Sequence, residues 1–263
     1  MDKKIGILVV SFGTSNNDTR KATIEAIEQT IQSAYPNLHV YQAWTSHVII
    51  KKLMERDGLH IPTVCEALEQ MEADGVTHVV VQPTHIVGGI ENDRMKQDAL
   101  AYETRFEAVR IGAPLLNSDS DLCQIVEEIS QEYIEITGGR TALVFMGHGS
   151  TPEVNSVYTK LNDKFHELGH PQIYVGIMEE PGGIDQLLSE VQEGGYKKII
   201  LAPFLIVAGR HASKDMSGDG AESWKSRFEA AGYQVTCVFK GLGECEGVRN
   251  IFLRHVGTEM NRF

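Results

Sequence analysis

The sequence lacks any apolar run approaching the roughly 20 residues needed to cross a bilayer; its apolar blocks are short, as at Ile7–Val10. A helical membrane span is not expected. Its four cysteines, Cys65, Cys123, Cys237 and Cys245, form no CxxC pair and are too sparse for a disulfide scaffold in 263 residues. Buried thiols are their ordinary reading. Positive charge is also scarce: 24 Lys and Arg against 36 Asp and Glu give a formal charge of −12. A general nucleic-acid binder carries a basic face, so that class is set aside. A local group of arginines and lysines can still meet an anionic small molecule. No GxxxxGK(S/T) segment is present to cradle a nucleotide, and Gly147-His148-Gly149 lacks the third spaced glycine of a dinucleotide site. The opening MDKKIGILVVSFGTS runs straight from a short apolar stretch into a turn, unlike a secretion signal. A cytoplasmic protein is the expectation.

What is present is an alternation. Candidate strands Ile5–Ser11, His39–Ala43, His78–Gln82 and Arg110–Pro114 are followed by Thr141–Met146, Gln172–Ile177, Lys198–Ala202 and Gln234–Phe239. Helical stretches are expected near Asp18–Ala34, Ile61–Asp74, Asn92–Ala108, Thr151–Glu167, Ile184–Glu193 and Gly220–Ala230, with a last helix over Glu244–Asn261. This order predicts an α/β fold with parallel sheets covered on both faces.

The two halves also match each other. LEQMEADGVTHVVVQPTHIVGGIE lies over LSEVQEGGYKKIILAPFLIVAGRH without a gap at an offset of 120, pairing Gly75 with Gly195 and Pro83 with Pro203. ILVVSFGTS likewise resembles LVFMGHGST. We read a duplicated domain: residues 1–118, then 119–243, with 244–263 as a helix packing across the lobes and small ligands in a cleft between them.

Duplication makes the differences informative. His148 stands where the first half has Phe12, His211 stands opposite Glu91, and, with Tyr41 laid over Tyr174, Glu179 falls opposite Ser46. All three lie just past the C-terminal ends of different strands, where open parallel sheets bind ligands. Two imidazoles and a carboxylate suit a labile divalent-cation site, and an imidazole also takes up a proton near neutrality. A closed structural zinc site more often uses four ligands. Glu180 competes with Glu179 at this stage. His85 either faces the ligand or packs. Arg94, Lys96, Arg210 and Lys214 follow the two equivalent loops, as ligand-carboxylate partners or as solvated surface charge. Trp44 and Trp224 either stack on a flat ligand or pack in the core.

These motifs carry a resemblance. VVSFGTSNNDT, AWTSHVIIKKLMERDG, PTHIVGGIE, VFMGHGS, VGIMEE, PFLIVAGRHASKDMSGDGAESWKSRFEAAG and GLGE, in this order, closely resemble the long, single-chain anaerobic cobaltochelatases that act on sirohydrochlorin, relatives of ferrochelatase. The resemblance implies two similar domains, each a four-stranded parallel sheet flanked by helices. It places the metal ligands on His148, Glu179 and His211, and selects Glu179 over Glu180. It implies insertion of Co2+ into sirohydrochlorin or precorrin-2, with His148 or His211 accepting a proton and Fe2+, Ni2+ or Zn2+ as alternative occupants; the missing GxxxxGK(S/T) segment leads to the expectation of no nucleotide. Phe12, Ser46, His85, Glu91, Arg94, Arg210 and Lys214 are the expected ring-lining residues. A non-catalytic tetrapyrrole-binding protein is the competing class, and a homo-oligomer is compatible with either.

Overall fold

The apolar runs form two parallel sheets, each in its own compact unit of the computed structural model, which describes residues 3–180 and 182–263. One unit takes the chain up to Asn117 together with Glu246–Phe263; the other is Ser118–Cys245.

In the first unit, β1 (Ile5–Ser11), α1 (Asn17–Ala22), α2 (Ile24–Ala34), β2 (His39–Trp44), α3 (His47–Asp57), α4 (Val64–Ala73), β3 (His78–Pro83), α5 (Ile90–Leu100) and β4 (Ala108–Ile111) follow in order. The strands lie β2-β1-β3-β4, all parallel. Strand side chains alternate faces. Leu8, Val10, Val79 and Val81 therefore pack with Leu68 and Met71 of α4 and Met95 of α5, while Ile7, Val9 and Val80 point to the opposite face and are equally buried. α2 and the terminal helix α10 (Glu246–Met260) pack against β2 and β3 respectively. His255 of α10 is held by a 3.1 Å hydrogen bond between its Nδ1 and the Ala113 carbonyl. The terminal helix, expected across both lobes, is grouped with the first unit.

In the second unit, α6 (Asp119–Glu132), β5 (Thr141–Gly147), α7 (Pro152–Glu167), β6 (Ile173–Ile177), α8 (Gly183–Glu193), β7 (Lys198–Pro203), α9 (Trp224–Ala230) and β8 (Gln234–Cys237) follow, with strand order β6-β5-β7-β8. The internal repeat is a repeat of backbone hydrogen bonds. Thr84 N reaches Val10 O at 2.8 Å, and Phe204 N reaches Met146 O at 2.8 Å. Leu115 N reaches His85 O at 2.9 Å, and Leu242 N reaches Leu205 O at 2.8 Å.

Several elements differ from expectation, each for a local reason. The first long helix breaks at Thr23, whose hydroxyl donates back to the Thr19 carbonyl at 2.6 Å. α3 and α6 were not anticipated; Ser46 caps the first, and Ser118 with Asp121 forms a capping box on the second. The helix expected to Ala108 stops at Leu100, and β4 occupies Ala108–Ile111 instead of Arg110–Pro114. Gly112 N still donates to the Val81 carbonyl at 2.8 Å, but Pro114 has no N–H to offer the ladder. α9 begins at Trp224, not Gly220, because the Ser223 hydroxyl caps it. Both tryptophans are core residues, 1% and 4% exposed, which removes the stacking reading. Of the cysteines only Cys245 is buried; the others are half-buried. No helix among the described residues is long and apolar enough to cross a membrane.

Candidate metal site

The second unit carries the candidate residues His148, Glu179 and His211 past the C-terminal ends of β5, β6 and β7. β5 ends at Gly147, and the chain turns at Gly149 with φ +95°, where a Cβ would stand 2.4 Å from Ile177 Cγ2. Glycine is required there. The turn is pinned by Asn155, a buried residue in the first turn of α7, whose Oδ1 accepts from Ser150 N at 2.7 Å. Gly13 repeats the device after β1, with φ +103° and Trp44 Cε3 2.4 Å from a notional Cβ.

Beyond the strands the β5–β6 hydrogen bonding continues: Met178 N donates to Gly147 O at 2.9 Å and Glu179 N to His148 O at 3.2 Å. This ladder seats the two side chains next to each other, with His148 Nδ1 3.6 Å from Glu179 Oε2. His148 Nδ1 also lies 3.2 Å from the Gly149 carbonyl, which it meets as a donor. From the loop after β7, His211 brings its ring edge-on to His148, centroids 4.9 Å apart at 88°. His211 Nδ1 is 2.8 Å from Asp215 Oδ2. Neither Nε2 atom has a hydrogen-bond partner among the described residues. The side chains of His148, Glu179 and His211 are 42%, 53% and 43% exposed, so the group is open to an incoming ion.

Thus His148 is the shared neighbour of Glu179 and His211. Among the described residues no three His, Cys, Asp or Glu side chains form a ready-made metal cluster. Glu180 is exposed and makes no ion pair with either histidine among the described residues.

The other expected residues are distributed as follows. Phe12 is 49% exposed just past β1. The Ser46 hydroxyl caps α3, accepting from Ile49 N at 3.4 Å. Glu91 pairs with Arg94 at 3.0 Å on α5, which gives that carboxylate a partner already. His85 Nδ1 is 3.4 Å from Asn92 Oδ1, and its Nε2 is sealed without a partner. Burial pulls the His85 imidazole below its ordinary pKa, against the opposing pull of Asn92 and Glu91. Arg210 and Lys214 are exposed, and no carboxylate pairs with either among the described residues. Sequence reasoning missed Asn155 and Asp215. Asp215 was findable, because a position four residues beyond a histidine shares its helical face.

Two four-stranded parallel sheets flanked by helices make a chelatase-type α/β fold. SirB from Bacillus subtilis, solved with Fe3+, has this fold: TM-score 0.67, 17% identity, 98% of this chain and 97% of that one covered. The family model described as cobalt chelatase (CbiK) matches residues 5–261, and the chain belongs to that family. Two relatives are both 34% identical. The sirohydrochlorin cobaltochelatase of Salmonella typhimurium is matched over 98% of this chain and 97% of its own length. The sirohydrochlorin cobaltochelatase CbiKC of Nitratidesulfovibrio vulgaris is matched over 97% and 90%. The chain is a chelatase enzyme.

Proposed function

We propose that this chelatase inserts Co2+ into sirohydrochlorin, gripping the cation with His148, Glu179 and His211. The observation that carries the reading is the placement of His148 against both Glu179, at 3.6 Å, and the ring of His211, at 4.9 Å. Near full-length likeness to two sirohydrochlorin cobaltochelatases supports the substrate pair.

Imidazole and carboxylate bind Co2+ without locking it in a closed shell, so pyrrolic nitrogens can displace water and then protein ligands. Two protons leave the ring as the dication enters, and the ring core keeps its net charge. As the pyrrolic nitrogens take over the cation, the His148 lone pair that held it is freed and accepts one of the two protons; the other passes to solvent, with the exposed Glu179 carboxylate alongside as a relay. Arg210 and Lys214, cationic and paired with no carboxylate among the described residues, offer partners for the carboxylates of the macrocycle.

The test is an anaerobic insertion assay with sirohydrochlorin and Co2+, Fe2+ or Ni2+, offered singly and in competition and followed by the change in macrocycle absorbance. Cobalt insertion by the native chain, lost in His148→Ala with the circular dichroism spectrum unchanged, is the expected result. Near-normal insertion by His148→Ala defeats the assignment.

A further inference from the structure

The two histidines are held unequally. His148 Nδ1 meets the carbonyl of its own neighbour at 3.2 Å and a carboxylate at 3.6 Å. His211 Nδ1 meets the carboxylate of Asp215 at 2.8 Å, a residue outside the proposed ligand set.

The segment that delivers Asp215 is irregular. Ala212–Met216 is a π turn, closed by Ser217 N on the Ala212 carbonyl at 3.2 Å. Its two ends, Ala212 and Met216, are wholly buried in the core of the second unit, so the turn has fixed anchors on both sides of the aspartate. At the matching place in the first unit, Glu91 opens an ordinary α-helix and is tied to Arg94. π turns are short, rare and concentrated at functional sites.

An ionised carboxylate only accepts hydrogen bonds. Beside Asp215, a singly protonated His211 ring keeps its proton on Nδ1 and leaves the Nε2 lone pair bare. Metal-binding histidines are commonly oriented by a carboxylate in this way. We propose that Asp215 is a positioning residue, holding His211 as the Nδ1–H tautomer with Nε2 presented to the incoming cobalt. The proposal rests on the reading of His211 as a metal-gripping residue. A loose surface pair would fix neither tautomer nor ring orientation; the short contact and the buried ends of the turn set this pair apart.

The experiment has two arms. In the first, metal-free protein with 15N-labelled imidazoles is examined by long-range proton–nitrogen NMR at a pH where each ring carries one proton. The native His211 should show a protonated Nδ1 and a bare Nε2. Asp215→Leu, and Asp215→Asn with its donating amide, should move the proton toward Nε2. A native His211 protonated on Nε2, or a tautomer unchanged in both variants, overturns the proposal.

In the second arm, Co2+ alone is titrated and followed by its visible absorption. Asp215→Leu should bind about 10–100-fold more weakly. Affinity lost in His211→Ala but kept in Asp215→Leu overturns the role of Asp215 alone. Affinity unchanged in His211→Ala overturns the ligand reading beneath it.

Discussion

Phe12 and His148 occupy the same backbone seat in the two units. Each carbonyl accepts a hydrogen bond from the residue just past the neighbouring strand, Ser46 N at 3.2 Å in one unit and Glu179 N at 3.2 Å in the other. Each is followed by a left-handed glycine that a larger residue cannot replace. The main chain is thus shared, and the side chains divide the labour. One unit presents an exposed aromatic and a helix-capping hydroxyl; the other presents an imidazole and a carboxylate in contact. The difference teaches that one backbone frame can mount unlike side chains at its strand ends, which is where the proposed site draws its chemistry.

The largest expected effect tests this division directly. His148→Ala should lower cobalt insertion by at least about 100-fold, the lower range for loss of a positioned proton acceptor, whereas Phe12→Ala at the matching seat should change it by less than about tenfold, given that a lone rim aromatic contributes on the order of 1 kcal/mol. Both are read as initial rates of macrocycle metallation. Equal losses in the two variants would break the comparison. Next, Glu179→Gln should slow insertion by about 10–100-fold, as removal of a partner of a metal site does. Ser46→Ala should leave the rate alone and cost about 1 kcal/mol in urea unfolding, as loss of a helix cap does.

The shared glycines should respond alike. Gly13→Ala and Gly149→Ala should each cost about 1–2 kcal/mol for the left-handed backbone, plus about 1–3 kcal/mol of overpacking. The greater loss should fall at Gly13, because its Cβ would press on the buried Trp44 ring. Urea midpoints decide this.

The smallest effect on chelation belongs to Glu28, on α2 of the first unit. Burial, helped by nearby Glu25 and opposed by Arg20, pushes its carboxyl from 4.5 up to about 8, and Oε1 has no partner. Between those two values the folded state holds a proton that the unfolded state has released, so stability falls as pH rises through this window and levels off above it. Glu28→Gln should flatten that slope in thermal melts from pH 5 to 9 while leaving metallation at neutral pH untouched.

Much of this arrangement is legible in the sequence. The strand cores ILVV, HVVV and IIL are apolar without interruption, and such runs have little alternative to a doubly covered parallel strand. The pairing of Glu179 with Ser46 followed from laying Tyr41 over Tyr174, and the two tyrosines do sit on equivalent rungs, opposite Leu8 and Val144. What failed was decided by individual caps and backbone competition. Ser46 begins a helix, α3, that no periodic run had announced. Thr23 breaks one helix by bonding its own backbone. Ser223 delays another by four residues. Asp215 escaped notice because the loop containing it reads as polar and Gly-rich, although it stands four residues beyond His211; the π turn closes that spacing into a contact.

The placement of α10 has a consequence for how the chain is made. Its residues pack on α2 and β3, elements synthesised near the beginning, whereas the second unit is one uninterrupted stretch. On the ribosome, the later-made unit can therefore close around its sheet while the earlier one still waits for its final helix. The unit begun first is finished last, and a chain cut short after Cys245 would leave β3 and α2 without the cover their apolar faces require.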